Sequence, residues 1–230
     1  MDIGKALTYI TEDERWVMKF LIALAMAIFS FFIIPAIILE GYMVAIARNV
    51  MNGEERPLPE WDDWGGFLRD GFNLFVALLV YTLPFWLLAC IVGISTIGFS
   101  GLSNISEDAA AAGILATFGL VSCLALIFLL ALLFVSPAVI VQYLRNNNLG
   151  SCFRFGEVFG IVRDHIGDIA IVVGVVFAIM FVTGLVANIP CIGWIVSFLI
   201  GPYLAVVWGH LYGQIAAKAG GASKEEKFAA

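Results

Sequence analysis

The sequence predicts an all-α fold, a polytopic transmembrane helical bundle. Three observations predict it. Of the 230 residues, 62% are apolar and only 13% charged. The apolar residues gather into five long segments. The charges gather in the gaps between those segments and at the ends. Soluble domains carry about 25% charged residues, and a chain of this length cannot hide so much apolar surface in one water-facing core.

A membrane-crossing helix needs about 20 apolar residues. The five segments run roughly Trp16 to Ala47, Phe72 to Phe99, Ala109 to Leu144, Ile166 to Ala187 and Ile192 to Ala217. The first is too long for one simple crossing, reaching about 50 Å at 1.5 Å per residue against a hydrocarbon core of about 30 Å. Pro35 lies inside it and can kink or break a helix. It is therefore either one kinked helix, giving five crossings, or a hairpin turning near Pro35, giving six. Asn188 to Trp194, with Pro190 and Gly193, reads as a comparable turn between the last two segments.

Lys and Arg near segment ends set orientation, and acids count for little. Arg48, Arg56 and Arg69 fall in one loop, Arg145, Arg154 and Arg163 in another, and Lys218, Lys224 and Lys227 in the tail. The loop from Ser100 to Asp108 has no basic residue. The hairpin reading adds Lys5, Arg15 and Lys19 to the same side and gives the cleaner division, so six crossings with both ends cytoplasmic are preferred. The chain reads as a single transmembrane domain in the cell membrane. It divides into a first repeat of about 16–99, a second of about 109–187, a final helix of about 192–217 and a flexible tail of 219–230. Glu12, Asp13, Glu14 and Arg15 do not resemble the start of a cleavable signal peptide.

The repeat rests on ordered matches. Pro35-Ala36 followed by Glu40 recurs as Pro137-Ala138 followed by Gln142. Arg48-Asn49 recurs as Arg145-Asn146. Asp63, Gly66, Arg69 and Asp70 recur as Glu157, Gly160, Arg163 and Asp164. An apolar helix follows each copy, so the duplication is parallel, of the kind found in some membrane proteins. The loops between read as two short amphipathic helices at the cytoplasmic interface. Trp61, Trp64, Leu68 and Phe72 share one helical face, as do Phe155, Val158, Phe159, Val162 and Ile166. Asp62 and Asp63 suit the first helix's N-terminal turn. These faces suit headgroup-level lipid, the bundle's own helices, or a docking partner.

No catalytic motif is present: no zinc-binding His-Glu-x-x-His, no nucleophile elbow and no phosphate loop. His165 and His210 are far apart, and the four cysteines are not at metal-ligand spacing. No enzymatic activity and no cofactor are expected. The net charge of -6 lacks the clustered basic face that nucleic acid requires. Asn104-Ile105-Ser106 fits the short glycosylation pattern. Apart from Asp168 at the start of the fourth segment, Glu40 is the one carboxylate inside an apolar segment. Such groups usually face the bundle interior or water, which suggests either a tie between helices or ion handling. In the last segment Gly201, Ala205, Gly209 and Gly213 form a small-residue seam for close helix approach. His210, Gln214 and Lys218 make a neighbouring polar row, either a helix end in the headgroups or a cytoplasmic vestibule.

Glu40-Gly41-Tyr42, the run Gly53-Glu54-Glu55-Arg56-Pro57-Leu58-Pro59-Glu60-Trp61-Asp62-Asp63-Trp64 and Arg69-Asp70-Gly71 resemble the signature of a prokaryotic membrane family, domain of unknown function 4013. Phe155 to Val158 and Gly209 to Gln214 extend the resemblance over most of the chain. The layout is distantly similar to the membrane domain of glycerophosphodiester phosphodiesterases. The resemblance implies a helical membrane fold and no known activity. Two functions compete: a scaffold or accessory subunit bound to lipid, other membrane proteins or itself, and a small oligomeric transporter or channel.

The orientation is directly testable. In a cysteine-free background, Asn104→Cys should react with an impermeant maleimide in intact cells, while Glu60→Cys and Arg154→Cys should not. The reverse pattern overturns the assignment.

Overall fold

The computed structural model describes residues 1–101, 107–189 and 192–228. The middle of the proposed outer loop with its Asn104 sequon, and Pro190 and Cys191 of the last turn, lie outside the described residues. Among the described residues eight helices follow in order: α1 Ile3–Thr8, α2 Trp16–Ile28, α3 Ile33–Met51, α4 Trp64–Gly101, α5 Glu107–Asn146, α6 Phe155–Asp164, α7 Ile166–Val186 and α8 Ile192–Phe228. Short 3-10 turns at Tyr9–Glu12, Phe29–Phe31 and Leu149–Phe153 join some of them, and no strand occurs among the described residues.

Among the described residues four helices are long and apolar enough to cross a membrane: Ile33–Met51, Trp64–Gly98, Ala111–Asn146 and Ile166–Val186. Their outward faces are apolar, with Phe75, Leu79, Leu126, Phe177 and Phe181 all exposed. Such faces suit lipid. The chain forms two compact units, Met1–Ala77 with Phe134–Ala230, and Leu78–Leu133. The second comprises the later part of α4 and the earlier part of α5. Most of its large side chains, such as Ile94, Ile97 and Leu115, are exposed. Apart from Val121, the buried apolar residues among those described belong to the first unit.

The over-long first segment is a helical hairpin, but it does not turn at Pro35. The break lies at Phe29–Phe32, where Phe32 is extended (φ -85, ψ 116). Pro35 occupies the first turn of α3, where a missing N–H costs nothing. The outgoing leg α2 has 13 residues, fewer than a full crossing needs.

The two expected interfacial helices take different forms. The first is not a separate helix: Trp64 begins α4, which continues unbroken to Gly101. Trp61 precedes it in the loop. The second segment forms a separate short helix, α6, set off from α7 by His165 (φ -121, ψ 23). Pro137 likewise sits inside continuous α5, unlike Pro35 at the start of α3, so the paired motifs take different local structures.

In the first unit α3 is the hub. Gly209 packs on Met43 and Ile46, and Gly213 on Ala47 and Val50. Positions rise together along both helices, so α3 and α8 run parallel. This seam serves intrachain packing between Ala205 and Gly213. Gly201 is exposed, with open space where a Cβ would go. At the α3–α4 crossing a Cβ on Gly41 would strike the Phe67 carbonyl, and one on Gly71 would strike the Ile37 carbonyl. Backbone meets backbone at both points.

Gly41→Ala and Gly71→Ala should each destabilise the detergent-solubilised protein by at least the ~1–3 kcal/mol typical of overpacking, since the obstacle is backbone that cannot rotate away. Gly201→Ala should leave the thermal midpoint unchanged or slightly raised. Equal midpoints for all three would refute the close crossing.

Candidate functional site

The segment Pro57-Leu58-Pro59-Glu60-Trp61 is the polar centre of the first unit. Prolines lack N–H groups and hold the chain extended, leaving three successive carbonyls to be satisfied. Each accepts from a side chain on a neighbouring helix. Asn49 donates to the Pro57 carbonyl at 3.0 Å, Lys19 to that of Leu58 at 2.9 Å and Tyr42 to that of Pro59 at 3.3 Å. Trp61 stacks on Tyr42 with centroids 4.0 Å apart and 7° between planes, and meets Phe67 edge-on. Its indole N–H donates to the Lys19 carbonyl at 3.1 Å. The loop is thereby fastened to α2, α3 and α4.

Lys19 is a buried cation, 5% exposed. Its ammonium lies 2.7 Å from Asp13 and 2.9 Å from Glu60. Burial acts to raise the Asp13 pKa. The hydrogen bonds from Lys19 and the Arg15 backbone, with the charges of Lys19 and Arg56, outweigh burial and hold Asp13 below its usual range. Exposed Arg15–Glu60 and Arg56–Glu14 pairs complete a charged collar at the foot of α2.

A second knot joins α3, α4 and α5. Asp70, 3% exposed, accepts from Arg48 at 2.9 Å and from the Tyr143 hydroxyl at 2.9 Å. Asn73 donates to Tyr143 at 3.1 Å, and Arg48 also donates to Asn147 at 2.8 Å. Arg69 reaches Asp70 at 3.4 Å from the exposed side. The counterpart pair Arg163–Asp164 is exposed at 3.0 Å. Beyond that pair, α7 is joined to α8 through Asp168 and Lys218, 2.7 Å apart.

Gln214 and His210 of the polar row on α8 hold the N-terminal segment. The Asp2 N–H donates to Gln214 at 2.7 Å, and the Gln214 amide donates back to the Asp2 carbonyl at 3.0 Å. That orientation points the same amide nitrogen at His210 Nδ1, 2.9 Å away, so Nδ1 accepts. The Tyr9 ring lies 4.5 Å from the buried His210 ring, and its hydroxyl donates to the Val206 carbonyl at 2.9 Å.

The remaining predicted residues scatter. Fully buried Gln142 donates to Glu157 of α6, which also pairs with Arg154 at 3.2 Å. Glu40 is half-buried on α3, and within its own unit it makes no hydrogen bond or ion pair among the described residues. Asp62 and Asp63 are exposed, and Asp63 caps α4 by accepting from the Gly66 N–H at 2.9 Å. Trp64, Phe155 and Phe159 are exposed. No group of acidic, His or Cys side chains able to hold a metal occurs among the described residues. Cys152 is buried, and burial pushes its thiol up to about 11, which leaves it a poor nucleophile. A crevice lined by Ile10, Phe20, Ala23, Tyr42 and Val206 lies beside Lys19, but it is too tight to admit a water molecule. Sequence reasoning missed Asp13, Tyr42, Tyr143, Asn147 and Asp2 as partners. Lys19, a cation three residues into an apolar run, was the one available signal.

A family model described as Protein of unknown function (DUF4013) matches residues 24–192. The match contains the proline loop, Arg48, Asp70 and Tyr143. No curated protein and no solved structure matches the chain.

Asp13→Asn tests the collar. Breaking a buried pair costs about 3–5 kcal/mol. Glu60 and the Leu58 carbonyl remain on Lys19, so the loss should fall below that range, at about 2–3 kcal/mol. A carboxylate with a depressed pKa stabilises the fold above its ordinary value of 3.8 and loses that contribution as pH falls through the lower folded value. The thermal midpoints of wild type and variant should therefore differ at pH 7 and at pH 5, and converge only below about pH 4. Convergence already at pH 6 would exclude Asp13 as the group responsible.

Proposed function

The chain belongs to the DUF4013 family of proteins of unknown function, and from that premise we propose that it is an integral membrane protein without catalytic activity, a scaffold or accessory subunit of a membrane complex. One observation carries the proposal. The buried charged and ring-bearing polar side chains of the first unit are engaged with one another, while its outward faces are apolar. Asp13, Lys19, Asp70 and His210 each hold partners from other elements. Groups held in this way stabilise helix contacts and are not free to bind substrate. In this reading the protein is a multi-pass component of the prokaryotic cell membrane, with both ends cytoplasmic and its helices arranged as a parallel duplication. Its partners are the bilayer and either other membrane subunits or further copies of itself. The exposed aromatic residues Trp64, Phe72, Phe155 and Phe159 supply the contact surface near the cytoplasmic interface, where such rings favour headgroup-level positions.

Glu40 favours a second reading. An intramembrane carboxylate that ties no helices together within its unit suits ion or proton handling in a small oligomeric transporter.

One pair of measurements separates the two readings. A photo-crosslinking side chain at position 159 should give a discrete adduct in native membranes, with the same membrane protein at fixed stoichiometry or with a second copy. Adduct formation should fall when Phe155 is replaced by Ser. Reconstituted proteoliposomes should show no pH-driven flux. Flux that is abolished by Glu40→Gln in a normally folded protein would replace the scaffold reading with transport.

A further inference from the structure

The hairpin of α2 and α3 has an unusual tip. Between Lys19 and Glu40 the sequence holds no charge, and Ser30 is its one hydroxyl or amide side chain. The turn presents Phe29, Phe31, Phe32, Ile33 and Ile34 outward, with Phe31 90% exposed. An aqueous loop of this composition would place five large apolar side chains in water together. Loops that emerge from membranes are instead polar or rich in Gly and Pro.

Part of the tip's hydrogen-bonding capacity is met locally. The Phe29 N–H is bonded to the Ala25 and Ala27 carbonyls, the Phe32 N–H to the Phe29 carbonyl at 2.9 Å and the Ser30 hydroxyl to the Met26 carbonyl at 2.9 Å.

Both legs give a depth. The charged collar of Glu14, Arg15, Arg56 and Glu60 marks the level of water and headgroups at the foot of α2, and Lys19 is tied into it. The tip lies twelve residues beyond Lys19. On α3 the Tyr42 hydroxyl reaches the same loop at the Pro59 carbonyl, and Phe32 lies ten residues before Tyr42. At 1.5 Å per residue both legs extend about 15–18 Å from the collar, roughly half of a hydrocarbon core of about 30 Å.

We propose that the α2–α3 hairpin is re-entrant: it enters from the cytoplasmic face, ends among acyl chains near the bilayer midplane and returns to the same face. The chain then crosses with α4, α5, α7 and α8 and dips once without crossing. Both ends remain cytoplasmic, because a dip and a double crossing leave the same parity. This inference does not depend on the scaffold role.

The test uses the full chain with its four cysteines replaced by serine, and Phe31→Cys or Ile33→Cys added singly. Glu54→Cys serves as the cytoplasmic control. An impermeant maleimide is applied to right-side-out and to inverted vesicles. Glu54→Cys should react only in inverted vesicles. Phe31→Cys and Ile33→Cys should react in neither, and should react fully after denaturation in dodecyl sulfate. A bimane on position 31 should be quenched most strongly by lipids carrying a nitroxide deep in the acyl chain, at least twofold more than by headgroup nitroxides. Reaction of position 31 in right-side-out vesicles would show that the tip emerges outside and that there are six crossings. Reaction in inverted vesicles, or strongest quenching from the headgroups, would place the tip at the cytoplasmic surface. Either outcome overturns the proposal. Monodisperse elution in detergent confirms folding of each variant, and agreement between the two positions guards against a local effect of one substitution.

Discussion

Backbone-to-backbone contact along α3 is the constraint on which the rest of the first unit depends. Gly209 and Gly213 let α8 lie against residues 43–50, and Gly41 and Gly71 let α4 cross on the other side. Lipid chains are as apolar as leucine, so helices in a bilayer gain little from hiding apolar side chains from one another. Dispersion between closely approached backbones and hydrogen bonds between helices must hold them instead. Glycine is what permits that approach. Once α3 is fixed, Tyr42 is placed to receive the Trp61 ring, and Arg48 is placed to reach Asp70.

Polar groups in this unit are arranged around that framework as locks. The proline loop leaves carbonyls that no helix can satisfy, and Asn49, Lys19 and Tyr42 supply the donors from two helices. An unsatisfied carbonyl in an apolar setting costs several kcal/mol by transfer scales, roughly 2–7 depending on reference. The loop and the hairpin are therefore mutually dependent. The same logic applies where Asp2 and Tyr9 cover Gln214 and His210. That contact places part of a polar helix row in an internal interface.

The paired sequence motifs take different roles. Asp70 is buried between Arg48 and Tyr143. Its counterpart Asp164 lies exposed beside Arg163. The difference follows from helix continuity. α4 runs through its motif without a break, which carries Asp70 into the bundle. The chain bends at His165, so Asp164 ends a short helix at the surface, and the charge that reaches α8 is Asp168.

The sequence by itself determined the helical membrane character, because hydropathy over 20 residues depends only on local composition. It also determined the basic asymmetry of the loops, the family signature and the presence of a break within the first apolar segment. It placed that break at Pro35, whereas the chain turns at Phe32; proline in a first helical turn is harmless, and the turn carries no polar marker. The sequence pointed to Gly209 and Gly213 as a packing seam but could not name α3 as their partner. Only the tertiary structure decided which donors meet the proline-loop carbonyls, that Asp13 neutralises Lys19, and that Asp2 reaches Gln214. Those contacts join residues 6 to 212 positions apart. No local pattern encodes such pairings, because they depend on how the helices cross, and glycine-sized gaps far from the paired residues set those crossings.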